Sequence, residues 1–106
     1  MNRDQFLQKI DSFNDELINL RRHIHAHPEL SGLENQTAIL ISGFLKNIGW
    51  NVKESIGRTG VIADFGPLDK GIIGLRVDMD ALPILEETKL SFSSKVDGVM
   101  HACGHD

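Results

Sequence analysis

The chain has 106 residues, 41% of them hydrophobic and 25% charged, and a formal net charge of −4 at pH 7. This is the composition of a soluble globular protein, and a chain of this length is expected to form one domain that buries roughly two-thirds of its unfolded surface. The mild acidity, with no Lys/Arg run longer than Arg21-Arg22, argues against nucleic acid or an anionic membrane surface as a partner.

The longest mainly apolar stretch, Ala38 to Leu45, falls far short of the ~20 residues that a membrane span requires. The first thirty residues are charged and lack the apolar centre of a secretory leader, so the cytoplasm is the expected location. A single cysteine cannot form an internal disulfide, which leaves Cys103 as a buried thiol, a nucleophile or a metal ligand.

Along the chain, Phe6, Ile10, Phe13, Leu17, Leu20 and Ile24 recur at alternating spacings of four and three. This stripe predicts one long amphipathic helix lying on the core, beginning near Asp4 and ending near His27, where Pro28 stops it. A second stripe, Leu33, Thr37, Leu40, Ile41, Phe44, Leu45 and Ile48, predicts another helix closed by Gly49. From Trp50 the pattern alternates, then Gly57-Arg58-Thr59-Gly60 reads as a turn and Val61 to Phe65 as a strand. The turn-rich segment Gly66 to Gly71 predicts an antiparallel hairpin that joins this strand to Ile72–Val77. Glu86 to Asp97 reads as irregular. No repeat or composition shift marks a second domain.

Two segments carry chemistry. Cys103 and His105 stand one residue apart, so on an extended backbone their side chains project to one side, and a thiolate with an imidazole suits zinc. His101 is a candidate third donor, or a supporting or packing residue. Asp78 and Asp80 follow the apolar run Ile72–Val77 at the sheet edge where α/β sites gather, and either bind a metal, orient a ligating histidine or cap the turn that enters Ala81-Leu82-Pro83. Arg76 is expected to pair with Asp78 or Asp64. His23, His25 and His27 sit in the last turn of the first helix, where their cationic forms favour its C-terminus, and alternate helical positions diverge too far to share a metal.

Arg21-Arg22 leading through His25 to Pro28-Glu29-Leu30, then Gly57-Arg58-Thr59-Gly60-Val61, Arg76 to Pro83, and Gly98 to Asp106 together resemble the amidohydrolase branch of the dinuclear metallopeptidases. That family includes N-acyl-amino-acid amidohydrolases, hippurate hydrolase and the hydrolases of indole-acetyl amino acids. The resemblance implies the α/β class: the N-terminal portion of a three-layer αβα catalytic domain with a mixed sheet. On that reading residues 1–106 are the incomplete N-terminal part of the domain, and the rest of it, with the dimerisation domain, is absent.

The resemblance further implies Cys103 and His105 as metal ligands and Asp80 as an orienting residue. Asp78 stands where the broader family has a ligating histidine. Two divalent ions, zinc or manganese, would activate a water for hydrolysis of an N-acyl amino acid or small peptide, with a glutamate as general base. In the family that glutamate and the remaining ligands lie beyond the position of Asp106, and Glu86-Glu87, which precede the Cys-Gly-His motif, are not its counterparts. The isolated chain is therefore expected to be inactive.

Two other readings compete. A non-catalytic remnant or small metal-binding module would join two copies through Cys103 and His105, each copy supplying two donors. A thiol hydrolase would use Cys103 as nucleophile with a histidine base, but no orienting third group is evident.

Overall fold

Asn2 and Gln5 start the first helix reciprocally. The Asn2 side chain accepts the Gln5 N–H at 2.9 Å and the Gln5 side chain accepts the Asn2 N–H at 3.0 Å, which satisfies two otherwise orphaned donors. In the computed structural model, which describes residues 1–106 apart from the side chain of Leu68, the predicted single helix is two: α1 (Arg3–Asp11) and α2 (Asn14–Ala26). At the break Ser12 Oγ donates to the Lys9 carbonyl at 2.7 Å, and the Phe13 N–H reaches back only three residues, to Ile10, at 3.0 Å. Side-chain competition and the tighter three-residue bond interrupt the α-helical ladder.

The predicted apolar stripe is real but does not lie on a core. Phe6, Ile10, Phe13 and Leu17 remain 47–51% exposed, because no described element packs broadly across them. Past α2, Pro28 stops the helix as predicted, and His27 Nδ1 donates to the His23 carbonyl at 2.8 Å, satisfying one of the last carbonyls.

Helix α3 (Asn35–Asn47) is capped from outside its own turn. The Glu29 carboxylate accepts the N–H groups of Gln36 at 3.0 Å and Thr37 at 2.6 Å, and the buried Thr37 hydroxyl at 2.6 Å. Gly49 ends the helix with φ +87°. Its N–H bonds the Lys46 carbonyl and that of Trp50 the Leu45 carbonyl, both at 3.0 Å, a Schellman closure.

Strands β1 (Asn51–Ile56) and β2 (Gly60–Asp64), on either side of the predicted turn, pair as an antiparallel hairpin, with Val52 opposite Ala63 and Lys53 opposite Ile62. A bulge between Lys53 and Ile56 carries the chain into the turn. A Cβ on Gly60 would lie 2.5 Å from the Ile56 carbonyl oxygen, so the turn closes only with glycine there. The hairpin packs on α3 through buried Ser42, which donates to Glu54, and through Lys46, 2.8 Å from the same carboxylate.

The predicted hairpin between Val61–Phe65 and Ile72–Val77 does not form. After a 3₁₀ turn at Leu68–Lys70, residues 71–80 belong to no strand, and Ile72, Ile73, Leu75 and Val77 are 78–92% exposed. A run apolar on both faces becomes a strand when its edges are paired and its faces covered, and the described residues supply neither. Arg76 does pair with Asp78, at 2.9 Å on the surface.

From Ala81 onward the chain is irregular, as predicted for Glu86 to Asp97, but anchored. Isolated bridges join Leu30 to Ala81 in parallel and Leu82 to Met100 in antiparallel sense, and the Lys95 N–H bonds the Ala26 carbonyl at 2.9 Å. Ala26 and Ala81 are the buried hydrophobic residues, so the core is a small node at the C-terminal end of α2. Among the described residues no helix is long and apolar enough to cross a membrane.

Candidate metal centre

The two chemistry-bearing segments meet. Asp78 and Asp80 from one, and His101, Cys103, His105 and Asp106 from the other, line a cleft of about 280 Å³ whose apolar wall includes Leu17, Leu20 and Ile24 of α2 and Ile41 of α3. The part of the apolar stripe that does find an opposing surface thus faces the site.

Cys103 and His105 are not on the extended backbone that their alternation suggests. The Asp106 N–H bonds the Cys103 carbonyl at 3.2 Å, closing a four-residue turn with Gly104 and His105 at its centre. Both side chains are exposed, and neither makes a hydrogen bond among the described residues. Asp80 is half-buried at the same cleft and makes no side-chain hydrogen bond among those residues.

His25 emerges as a buried residue of the site's support. Its Nδ1 lies 3.0 Å from Asp106 Oδ2 and its Nε2 2.9 Å from Glu86 Oε1. A carboxylate oxygen thus faces each ring nitrogen and fixes the orientation of the imidazole. Arg21, one helical turn earlier, adds Nη2 to the same Asp106 Oδ2 at 2.6 Å and Nε to the Asp106 carbonyl at 3.3 Å. His23 and His27 face elsewhere, their rings 4.5 Å apart.

Burial works to raise the pKa of Glu86, but hydrogen bonds from Thr88, the Ser94 N–H and His25 outweigh it and bring the carboxyl down to about 2. The Ser94 bond measures 2.9 Å. His101 lies between this network and the cleft, its ring centre 6.2 Å from that of His25. Its Nε2 is buried with no partner, and burial first, then the charge of His25, hold its pKa below the ordinary imidazole value against the pull of Asp106 and Asp80.

A thiol and an imidazole without competing hydrogen bonds, beside an unpartnered buried imidazole nitrogen, form a donor set chemically suited to a divalent ion. They fit it as a partial set: among the described residues no three His, Cys, Asp or Glu side chains come together closely enough to hold a metal.

Sequence reasoning named Cys103, His105, Asp80 and His101 at this cleft but missed the support from Arg21, His25 and Glu86. The available signal was the spacing of four between Arg21 and His25, which puts both on one helical face beside the stripe formed by Leu17, Leu20 and Ile24.

The described residues form an α/β chain whose cleft gathers thiol, imidazole and carboxylate groups, and comparison with known proteins says what such a chain is similar to. The model of Peptidase family M20/M25/M40 matches residues 74–106, the span that contains both segments. The chain is 52% identical over 92 residues to "Probable hydrolase sll0100" of Synechocystis sp., covering 85% of this chain and 23% of that protein. It is 47% identical over 104 residues to hippurate hydrolase of Campylobacter jejuni, covering 94% of this chain and 26% of that protein.

A solved structure, the YXEP protein of Bacillus subtilis, described as a dinuclear metal binding peptidase from the M20 family, superposes with a TM-score of 0.76 at 46% identity, over 90% of this chain and 27% of that one. The chain thus resembles the N-terminal part of the M20 dinuclear metallopeptidases and their amidohydrolase branch. It spans about a quarter of the length of the curated relatives it matches.

Proposed function

We propose that the chain is the N-terminal part of the catalytic domain of a metal-dependent amidohydrolase that cleaves the amide bond of N-acyl amino acids or small peptides. The observation that carries this reading is the convergence of Asp78, Asp80, Cys103 and His105 on one cleft within the stretch that the family model matches. Similarity to hippurate hydrolase, named for an N-acyl amino acid, supports the substrate class. Zinc is favoured over manganese by the thiolate.

In this reading Cys103 and His105 bind the metal and Asp80, which lines the same cleft, orients the ligands. Leu20, Ile24 and Ile41 make one side of the cleft apolar. Bound divalent ions supply Lewis acidity toward an amide carbonyl and a nucleophile at neutral pH.

The test is hydrolysis of hippurate and of N-acetyl amino acids by the full-length protein that carries this sequence, loaded with zinc or manganese. Activity abolished by chelator, restored by metal, and lost by about 100-fold or more in Cys103→Ser is the expected result, beyond the ~10–100-fold that changes outside the ligand shell cause. Metal-independent hydrolysis, or full activity in Cys103→Ser, refutes it.

A further inference from the structure

We infer that Arg21 and His25 of α2 are positioning residues for the metal-ligand turn, gripping Asp106 so that Cys103 and His105 stand where an ion can be held. This role rests on the metal reading above and adds to it a helix that lies some eighty residues earlier in sequence than the ligand motif.

The geometry makes Asp106 the hinge point. Its N–H closes the turn onto the Cys103 carbonyl at 3.2 Å, so the backbone of Asp106 and that of Cys103 move together. Its carboxylate and carbonyl are held from α2: Oδ2 by Arg21 Nη2 at 2.6 Å and His25 Nδ1 at 3.0 Å, and the main-chain oxygen by Arg21 Nε at 3.3 Å. Contacts to both the side chain and the main chain of one residue leave the turn little freedom to rotate.

The grip is itself fixed from behind. The His25 side chain is 6% exposed, and Glu86 Oε1 holds its second nitrogen at 2.9 Å. Glu86 is in turn anchored by Thr88 and by the Ser94 N–H. The Phe92 ring packs T-shaped against the imidazole with centroids 5.6 Å apart. A chain of hydrogen bonds therefore runs from the irregular segment through α2 to the ligand turn.

Arg21 separates positioning from stability. Its side chain is 48% exposed, and ion pairs open to water add little to folding. Its two contacts nonetheless converge on the residue that closes the ligand turn, so its removal should misplace donors more than it unfolds the chain.

The experiment is a cobalt(II) titration of the full-length protein carrying this sequence, followed by the thiolate-to-cobalt charge-transfer band, with folding monitored by circular dichroism. Wild type is expected to show the band and Cys103→Ser to lack it. Arg21→Ala and His25→Ala are expected to keep the band but bind cobalt about 10–100-fold more weakly, the range for groups that orient metal ligands. Arg21→Lys should recover part of the loss.

Folded Arg21→Ala protein that binds cobalt with wild-type affinity and an unchanged band overturns the positioning role while leaving the metal reading intact. If His25→Ala unfolds, Arg21→Ala alone decides. A wild-type protein with no cobalt–thiolate band overturns the ligand assignment itself, and the positioning role with it.

Discussion

Glu86 shows how one side chain ties burial to acid sensitivity. Its carboxyl is brought from the ordinary 4.5 down to about 2, because three donors favour the charged form more than burial penalises it. A carboxyl with a folded pKa below its unfolded one binds fewer protons in the folded state, so its stabilising contribution is complete above about pH 4.5 and fades as pH falls toward 2. Comparing wild type with Glu86→Gln by urea denaturation across this range should give a stability difference that is constant above pH 5 and shrinks toward zero near pH 2. A difference independent of pH would show that Glu86 is not held ionised. The same carboxylate helps His25 tolerate burial, since Glu86 faces one ring nitrogen and Asp106 the other.

At the scale of elements, α3 depends on a cap that is not adjacent to it. Glu29 lies six residues before the first residue of the helix yet satisfies the Gln36 and Thr37 N–H groups and the Thr37 hydroxyl. Glu29→Ala should lower stability by about 0.5–2 kcal/mol, the usual loss on removing a helix N-cap, read as a fall in thermal midpoint. Gly60→Ala should cost about 1–3 kcal/mol by the same measurement, since the added Cβ meets the Ile56 carbonyl oxygen at 2.5 Å and the hairpin must open to admit it. An unchanged midpoint in either variant refutes the corresponding account.

These elements also show what the sequence disclosed and what it hid. Gly49, Pro28 and the Gly57-to-Gly60 turn were legible because each is a local conformational demand, met within a few residues. The break at Ser12-Phe13 was hidden because an apolar stripe specifies a helical face and says little of a three-residue bond within it. Residues Ile72–Val77 failed as a strand because strand formation is decided by neighbours, which local pattern does not record. At the cleft, Cys103 and His105 were legible from donor type, whereas the Arg21–His25–Glu86 support joins residues more than sixty positions apart and emerges only when the chain is folded.

Taken whole, the molecule is more open than a domain of its size. A folded monomer of 11.8 kDa exposes about 5,900 Å² on the usual scaling. This chain exposes 8285 Å². Its radius of gyration is 15.9 Å, against about 13 Å for a compact chain of this length. Relative to an unfolded chain of about 17,000 Å² it buries about half of its surface, less than the two-thirds expected from length alone.

Much of the excess is apolar, and its most continuous stretch is Ile72–Val77, where Ile73 and Leu75 are 92% and 90% exposed. An uncovered apolar segment with unpaired backbone is a template for strand addition. Residues 1–106 produced alone should therefore self-associate with rising concentration and bind a hydrophobic dye. Ile73→Lys together with Leu75→Glu should reduce both, because charges at the segment's centre oppose edge-to-edge pairing. Light scattering across a concentration series measures it. Scattering that is equally strong in the double variant would move the cause of association to the exposed stripe of α1, whose Phe6 and Ile10 are then the positions to charge.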